Sequence, residues 1–259
     1  MWRVKRNQSI MATSPLIEAV VANNIRECIR LLETEEGLET IDDRDQYEDQ
    51  YKFSRDNIYR DSPIGLTALM HACKGGYLDI AELLLSKGAV VDRRDIKERY
   101  TALMMASYHN HLEISNLLIS EGGGGEVDLT DGEHGRTALC IASFCDNLEI
   151  AELLVSSGAN VNIRNSGGWT ALHNASLNGH LKIVQLLLCQ GVDMSIRDNC
   201  GNTALDIASS YGRLNVADCL RKWPWTMAII ALKEDLAVYH LLDASTLIDL
   251  WQYSEGYPK

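Results

Sequence analysis

The sequence predicts an all-α repeat solenoid, in which short helix-turn-helix units stack side by side and are linked by short β-hairpin loops. Two observations predict this fold. A Thr-Ala-Leu triplet begins at residues 67, 101, 137, 170 and 203, at intervals of 34, 36, 33 and 33. A leucine follows each Thr after 11 residues, and a glycine follows the first four after 21. A period near 33 residues with several fixed positions is typical of stacked supersecondary units.

Each unit is predicted to contain two helices. The first begins at the Thr, whose hydroxyl suits an N-cap, and its Leu and Ala face inward, as at Leu172 and Ala175. The second carries a one-sided apolar stripe, in the fourth unit Leu181, Val184 and Leu188. We expect this helix to end at Gly191, because glycine adopts the left-handed conformation of a C-cap at little cost.

The stretches between units predict the hairpin loops. "VNIRNSGGWT" and "MSIRDNCGNT" show short alternation followed by an Asn/Asp-x-x-Gly turn pattern. From the closing Gly to the next Thr there are 13, 15, 12 and 12 residues, so all variation in unit length falls in this segment. Length variation confined to one segment is expected of a loop that joins rigid units.

Composition and charge limit the classes of protein and of binding partner that fit this chain. Of the 259 residues, 46% are apolar, which allows a sizeable core. The formal net charge of −12 opposes binding to nucleic acid phosphates. Seven cysteines without a C-x-x-C pair indicate a reducing compartment. Since no secretory h-region or long apolar run is present, we expect a cytoplasmic protein, with the nucleus as an alternative, and no membrane partner.

The five hexamers resemble the opening of the ankyrin repeat, whose usual form is T-P-L-H-x-A. They read "TALMHA", "TALMMA", "TALCIA", "TALHNA" and "TALDIA". Ala replaces the family Pro in all five, only His173 keeps the family His, and only Gly179–His180 keep its Gly-His pair. The resemblance spans about 160 residues. It implies that His173 and His180 fasten loops and that the chain is a non-catalytic interaction module.

The two ends depart from this repeat. We predict a basic arm at 1–11, a divergent capping repeat at 12–64, five repeats at 65–222 and a C-terminal helical cap at 223–259. In the N-terminal unit Ser14 takes the place of the Thr.

Two terminal segments have open interpretations. The acidic insertion at 33–64 is either a solvated loop or a flap that contacts a cationic partner. The C-terminal cap consists of a hairpin-less unit and a final helix. Its alternative role is the recruitment of a second complex, for example of the ubiquitin-ligase type, by an adaptor or host-directed effector.

No pattern predicts catalysis, a metal site or a cofactor. "EGGGGE" at 121–126 lacks the Lys-Ser/Thr of a P-loop and suits a flexible insertion. His109 and His111 are two residues apart, and two such positions on a helix do not face together. No Cys/His spacing fits a zinc site. We therefore assign no catalytic residue, no metal ligand and no cofactor.

The family resemblance implies a protein or peptide partner on the concave surface, contacted by the ends of the first helices and by the loop tips. By position in the repeat, the helix-end residues are Tyr108, His109, Phe144, Leu177, Asn178 and Tyr211. The loop residues are Arg94, Arg99, Tyr100, Arg136, Arg164, Trp169, Arg197 and Asn202. Arg and aromatic residues are enriched in protein interfaces.

Arg on successive loops of an acidic chain suggests a surface for an extended acidic or aromatic-bearing segment. The alternative is that Arg164 and Arg197 pair with neighbouring Asp and Asn along the loops. Exposed pairs of that kind contribute only about 0–1 kcal/mol each. We expect a monomer that binds a protein and not nucleic acid.

Overall fold

The structure is a computed structural model, which describes residues 14–43, 66–96, 98–121, 127–132 and 134–223. The predicted arm at 1–11, most of the acidic insertion, the Gly-rich stretch at 122–126 and the predicted cap from residue 224 onward lie outside the described residues.

The described residues form an all-helical repeat solenoid, as predicted. The first helices of the units are α1 (Pro15–Val21), α4 (Ala68–Gly75), α6 (Ala102–Tyr108), α8 (Ala138–Cys145), α10 (Ala171–Asn178) and α12 (Ala204–Ser210). The second helices are α2 (Ile25–Leu32), α5 (Leu78–Ser86), α7 (Leu112–Glu121), α9 (Leu148–Ser156), α11 (Leu181–Cys189) and α13, described over 214–223. A short helix, α3 (Glu35–Glu39), follows α2.

In four of the five repeats the Thr hydroxyl caps the first helix as predicted, whereas the Thr170 hydroxyl lies 2.9 Å from Nδ1 of His173. The backbone N–H three residues further on donates to the hydroxyl at 3.3 Å for Thr67 and Thr101 and at 3.2 Å for Thr137 and Thr203. Each bond satisfies an amide that the helix itself leaves without a partner. Ser14 also precedes a helix, but its hydroxyl makes no capping bond.

Two repeated positions build the core. The Ala that ends each hexamer is fully buried, at residues 72, 106, 142, 175 and 208. A leucine of each second helix is at most 2% exposed, at residues 84, 118, 154, 187 and 220. Because alanine is small, neighbouring first helices pack more extensively on one another than neighbouring second helices do. A stack bends toward its more closely packed row, so we expect the first helices to lie on the concave side.

The loops fold back as hairpins, but in the described residues they form no extended strand. Each is closed by one backbone bond of 2.8–3.0 Å, and the pairs are Asp95–Tyr100, Asp131–Arg136, Asn165–Trp169 and Asp198–Asn202. The Asp or Asn side chain also accepts N–H groups across the turn, as Asp198 does from Cys200 and Asn202. These side-chain bonds use backbone N–H groups that a longer β-ladder would need for its own hydrogen bonds.

The first part of the acidic insertion packs against the stack. Residues Glu35–Glu39 are helical, and Ile41 is 7% exposed. The Asp42 carboxylate accepts a bond of 3.0 Å from the N–H of Val90, in the first loop of the five repeats. These residues therefore differ from a freely solvated loop.

Candidate functional site

The loop tips form one continuous edge along the stack. A backbone N–H at each tip donates to a carbonyl at the tip of the preceding loop. The pairs are Gly132 to Glu98 at 2.7 Å, Ser166 to His134 at 2.8 Å and Asn199 to Gly167 at 3.0 Å. We call this row of tips the loop edge. Its bonds fix the positions of the loop residues relative to one another.

Two predicted binding arginines also hold neighbouring loops together. Arg94 donates to the carbonyl of Thr130, and Arg164 donates to that of Arg197, each at 3.1 Å. Arg197 has no following loop in the described residues and donates to Gly201 of its own loop at 2.7 Å. Carbonyl acceptors position a guanidinium without neutralising its charge. Of the alternative pairing of Arg164 and Arg197 with neighbouring Asp, the described residues show only a 4.0 Å approach between Arg197 and Asp206.

Arg136 belongs to a half-buried cluster. Its Nε donates to the Asp131 carboxylate at 2.7 Å, and Nη2 donates to the Tyr100 hydroxyl. The Asp131 side chain is fully buried, so removal of the Arg136 charge would leave a carboxylate without its cation. Arg136 and Tyr100 are therefore rigid parts of the surface.

The remaining loop residues differ in exposure. Arg99 and Asn202 are exposed, and Arg99 adopts a left-handed φ of 58°. Asn202 donates to Asp198 at 3.3 Å. Trp169 is half-buried, its backbone N–H donates to Asn165, and its ring centre lies 6.1 Å from that of His173.

His173 links its own helix to the next loop, as the family resemblance implies. Because the N–H of Thr170 donates to Nδ1 at 3.2 Å, the neutral ring carries its proton on Nε2. Nε2 then donates to the carbonyl of Asn202 at 3.4 Å. Burial lowers the pKa of His173, which keeps this ring neutral. His173 therefore has a structural role.

In the third, fourth and fifth repeats, the residue before the second helix ties that helix to the preceding unit, a feature that sequence reasoning found only for His180. His180 donates to the carbonyl of Phe144 at 3.1 Å, Asn147 to Ser107 at 2.6 Å and Arg213 to Leu177 at 2.8 Å. Three side-chain types thus make one kind of contact. Their shared position in the sequence, directly before the leucine that begins the second helix, was the signal from which this contact could have been predicted.

The predicted helix-end residues form a mostly uncharged row. Tyr108 is 38% exposed, and Phe144 and Leu177 are half-buried. Asn178 donates to the Phe144 carbonyl at 3.2 Å, which connects the third and fourth units, and Tyr211 is 61% exposed. Helices α6, α8 and α10 contain no Asp, Glu, Lys or Arg. We call Tyr108, Phe144 and Leu177 the apolar row.

The expectation that His109 and His111 do not face together was wrong. Helix α6 ends at Tyr108 and α7 begins at Leu112, so both histidines lie in the turn between helices. Their rings stack with centres 6.2 Å apart, and the Tyr108 ring meets His109 edge-on at 5.0 Å. The helical spacing rule does not apply in a turn.

Three of the second helices carry exposed acidic charge. Helices α5, α7 and α9 carry only carboxylates among their charged residues, all of them exposed: Asp79, Glu82, Glu113, Glu121, Glu149 and Glu152. In the same repeats, the predicted binding arginines lie on the loops and not on these helices.

Two searches of the described residues found no further kind of site. No group of three or more His, Cys, Asp or Glu side chains there is placed to hold a metal ion. None of the described helices combines the length and apolar character needed to cross a bilayer.

Comparison with known proteins gives the family. A family model of ankyrin repeats in three copies matches residues 93–165, and two models of ankyrin repeats in many copies match 64–119 and 154–208. No curated protein matches the chain. The matched segments cover 64–208 continuously, over the same helix pairs and loops that the structure shows. The chain belongs to the ankyrin repeat family, whose repeats are protein-protein interaction modules.

Proposed function

We propose that this chain is a non-catalytic scaffold that binds a partner polypeptide along the apolar row and the loop edge. The observation that carries this function is the absence of Asp, Glu, Lys and Arg from α6, α8 and α10. Tyr108, Phe144 and Leu177 lie in the last turns of these three helices. Exposed aromatic residues on a rigid support are typical of binding surfaces.

The rigidity of the surroundings supports the same function. Arg94, Arg136 and Arg164 are held by defined acceptors, so little side-chain freedom is lost when a partner contacts them. We expect the chain to act as a monomer in this role. The exposed carboxylates of α5, α7 and α9 favour a protein partner over nucleic acid.

Affinity capture with a double variant tests the proposal. The double variant Tyr108→Ala with Phe144→Ala removes two side chains of the apolar row. It leaves intact the hydrogen bonds by which Arg94 and Arg164 join neighbouring loops. We expect at least a tenfold loss of captured partner, quantified by mass spectrometry, because central aromatic contacts dominate interface energies.

The matched control is Glu149→Ala with Glu152→Ala on α9, which changes two exposed residues of the opposite helix row. Circular dichroism establishes that both variants are folded. Equal capture by the wild type and the folded Tyr108/Phe144 variant would contradict binding at the apolar row.

A further inference from the structure

Three basic side chains lie together at one end of the apolar row. Lys74 is in the last turn of α4, and His109 and His111 are in the turn after α6. The His109 and His111 rings are stacked at 6.2 Å, and His111 lies over Gly76 so closely that a Cβ there would be 2.5 Å from its Cε1. We call Lys74, His109 and His111 the basic cluster.

Within the described residues, the basic cluster has no acidic partner. None of its three side chains makes an ion pair or a hydrogen bond with another described residue. The groups that face it are the Tyr108 phenol from α6 and, beyond Tyr108, Cys145 of α8 and Arg136 of the second loop. Asp146, at the end of α8, is instead 3.4 Å from His180.

The three groups oppose one another electrostatically. The pKa of His109 lies below its usual value, first because of partial burial and then because of the positive charges of His111 and Lys74. A negative charge placed between these groups would offset that repulsion. Lys74 and His109 are exposed and accessible to such a charge.

We propose that the basic cluster receives a carboxylate side chain of the partner, next to partner residues that contact the apolar row. This inference rests on the proposed function and specifies the partner as a segment with Asp or Glu beside apolar or aromatic residues. Charge complementarity favours it, because this end of the surface carries the Lys74 ammonium and two imidazoles that can take up a proton, whereas the adjacent apolar row carries no charge.

The proposal predicts that the chain takes up protons when it binds the partner. A carboxylate stabilises the charged form of each histidine, so the His109 pKa rises when the partner is bound. Affinity therefore increases as the pH falls from 7.5 to 6.0, and the gain approaches tenfold per pH unit for each proton taken up.

Nuclear magnetic resonance of the full chain tests this directly. The probes are a twelve-residue peptide of Asp, Phe and Gly and a matched peptide with Asn in place of Asp. We expect the acidic peptide to raise the titration midpoint of His109 and to bind at least threefold more tightly at pH 6.0 than at 7.5. No change in the His109 resonances at millimolar acidic peptide would overturn the proposal.

A charge-removing variant separates the cluster from the rest of the surface. Lys74→Gln with His109→Gln should abolish both the preference for the acidic peptide and the pH dependence. The matched control, Lys182→Gln, removes an exposed cation from α11 and should change neither. Equal binding of the two peptides by the wild type would overturn the inference.

The same measurements separate this inference from the proposed function. If Tyr108→Ala with Phe144→Ala weakens binding of both peptides while the acidic peptide has no advantage, the apolar row binds and the basic cluster does not. If that variant weakens neither, the proposed function itself is wrong. Tighter binding of a twelve-nucleotide RNA than of the acidic peptide at equal salt would overturn the inference in favour of nucleic acid.

Discussion

At the scale of single residues, polar side chains in this stack mostly hold neighbouring units together. His173 accepts from Thr170 and donates to Asn202 across a loop boundary. Asn147 reaches the Ser107 carbonyl of the preceding unit. Such buried donors and acceptors contribute modestly when paired, but their loss is costly when one partner remains buried.

The His173 contact predicts a pH-dependent stability. Its folded pKa lies below the unfolded value, so the unfolded chain binds the proton more readily. The stability from neutral His173 is full above the unfolded value of about 6.5 and is lost as the pH falls toward the lower folded value. His173→Gln should cost about 1–3 kcal/mol at pH 7.5. Urea unfolding between pH 7.5 and 5.5 should show a smaller loss in the variant than in wild type.

His109 provides the control, because its pKa is also lowered but, within the described residues, its ring makes no hydrogen bond to a carbonyl of another unit. His109→Gln should reduce the pH dependence without the loss of stability at pH 7.5. Identical pH profiles for wild type and His173→Gln would contradict the lowered pKa of His173 in the folded chain.

At the scale of elements, glycines in left-handed conformations shape both the helix ends and the loops. Gly158 follows α9 with a φ of 89°, and no atom lies within 4 Å of the place a Cβ would take. Gly168 lies in the third loop with a φ of 79°, and a Cβ there would be 2.7 Å from Arg164 Nη2 and 2.9 Å from the Asn199 amide nitrogen. The two sites differ in available space.

This difference predicts unequal effects of one substitution. Gly158→Ala should cost about 1–2 kcal/mol, because only the left-handed backbone is penalised. Gly168→Ala should cost at least about 1 kcal/mol more, since the new methyl group would push apart two bonded loops. Chemical denaturation of both variants measures the difference. Equal costs would contradict the close approach of the third and fourth loops.

The sequence alone predicted helices and caps because these depend on local residue types. Thr137 and Gly158 mark the ends of their unit in the printed sequence as clearly as in the structure. The hydrogen bond from Arg164 to the Arg197 carbonyl was not predictable, because a backbone carbonyl of another unit carries no sequence signature. The stacking of His109 and His111 was missed because the boundary between α6 and α7 was not known to a residue.

At the scale of the whole molecule, stability passes from unit to unit through neighbouring contacts. First helices contact adjacent first helices, and second helices contact adjacent second helices. In a stack of this kind each unit depends on the units on either side. The leucine at 154 lies in the third of the five repeats and the equivalent leucine at 220 lies in the fifth.

Substitution of these two leucines should therefore destabilise different numbers of repeats. Leu154→Ala should cost about 2–5 kcal/mol, because the side chain is fully buried. Hydrogen exchange should increase in the second, third and fourth repeats. In Leu220→Ala the increase should be confined to the fourth and fifth. Equal spread of exchange in both variants would show that the stack unfolds as one unit.

The loop edge gives the molecule a direction. Three successive tips each donate a backbone hydrogen bond to the tip before them, and the carbonyl of Cys200, at the equivalent position of the last loop, accepts none in the described residues. Because a backbone N–H and a backbone carbonyl form each of these bonds, they do not depend on particular side chains. A duplicated repeat inserted between two existing ones would therefore offer the same pair of backbone groups to both of its neighbours.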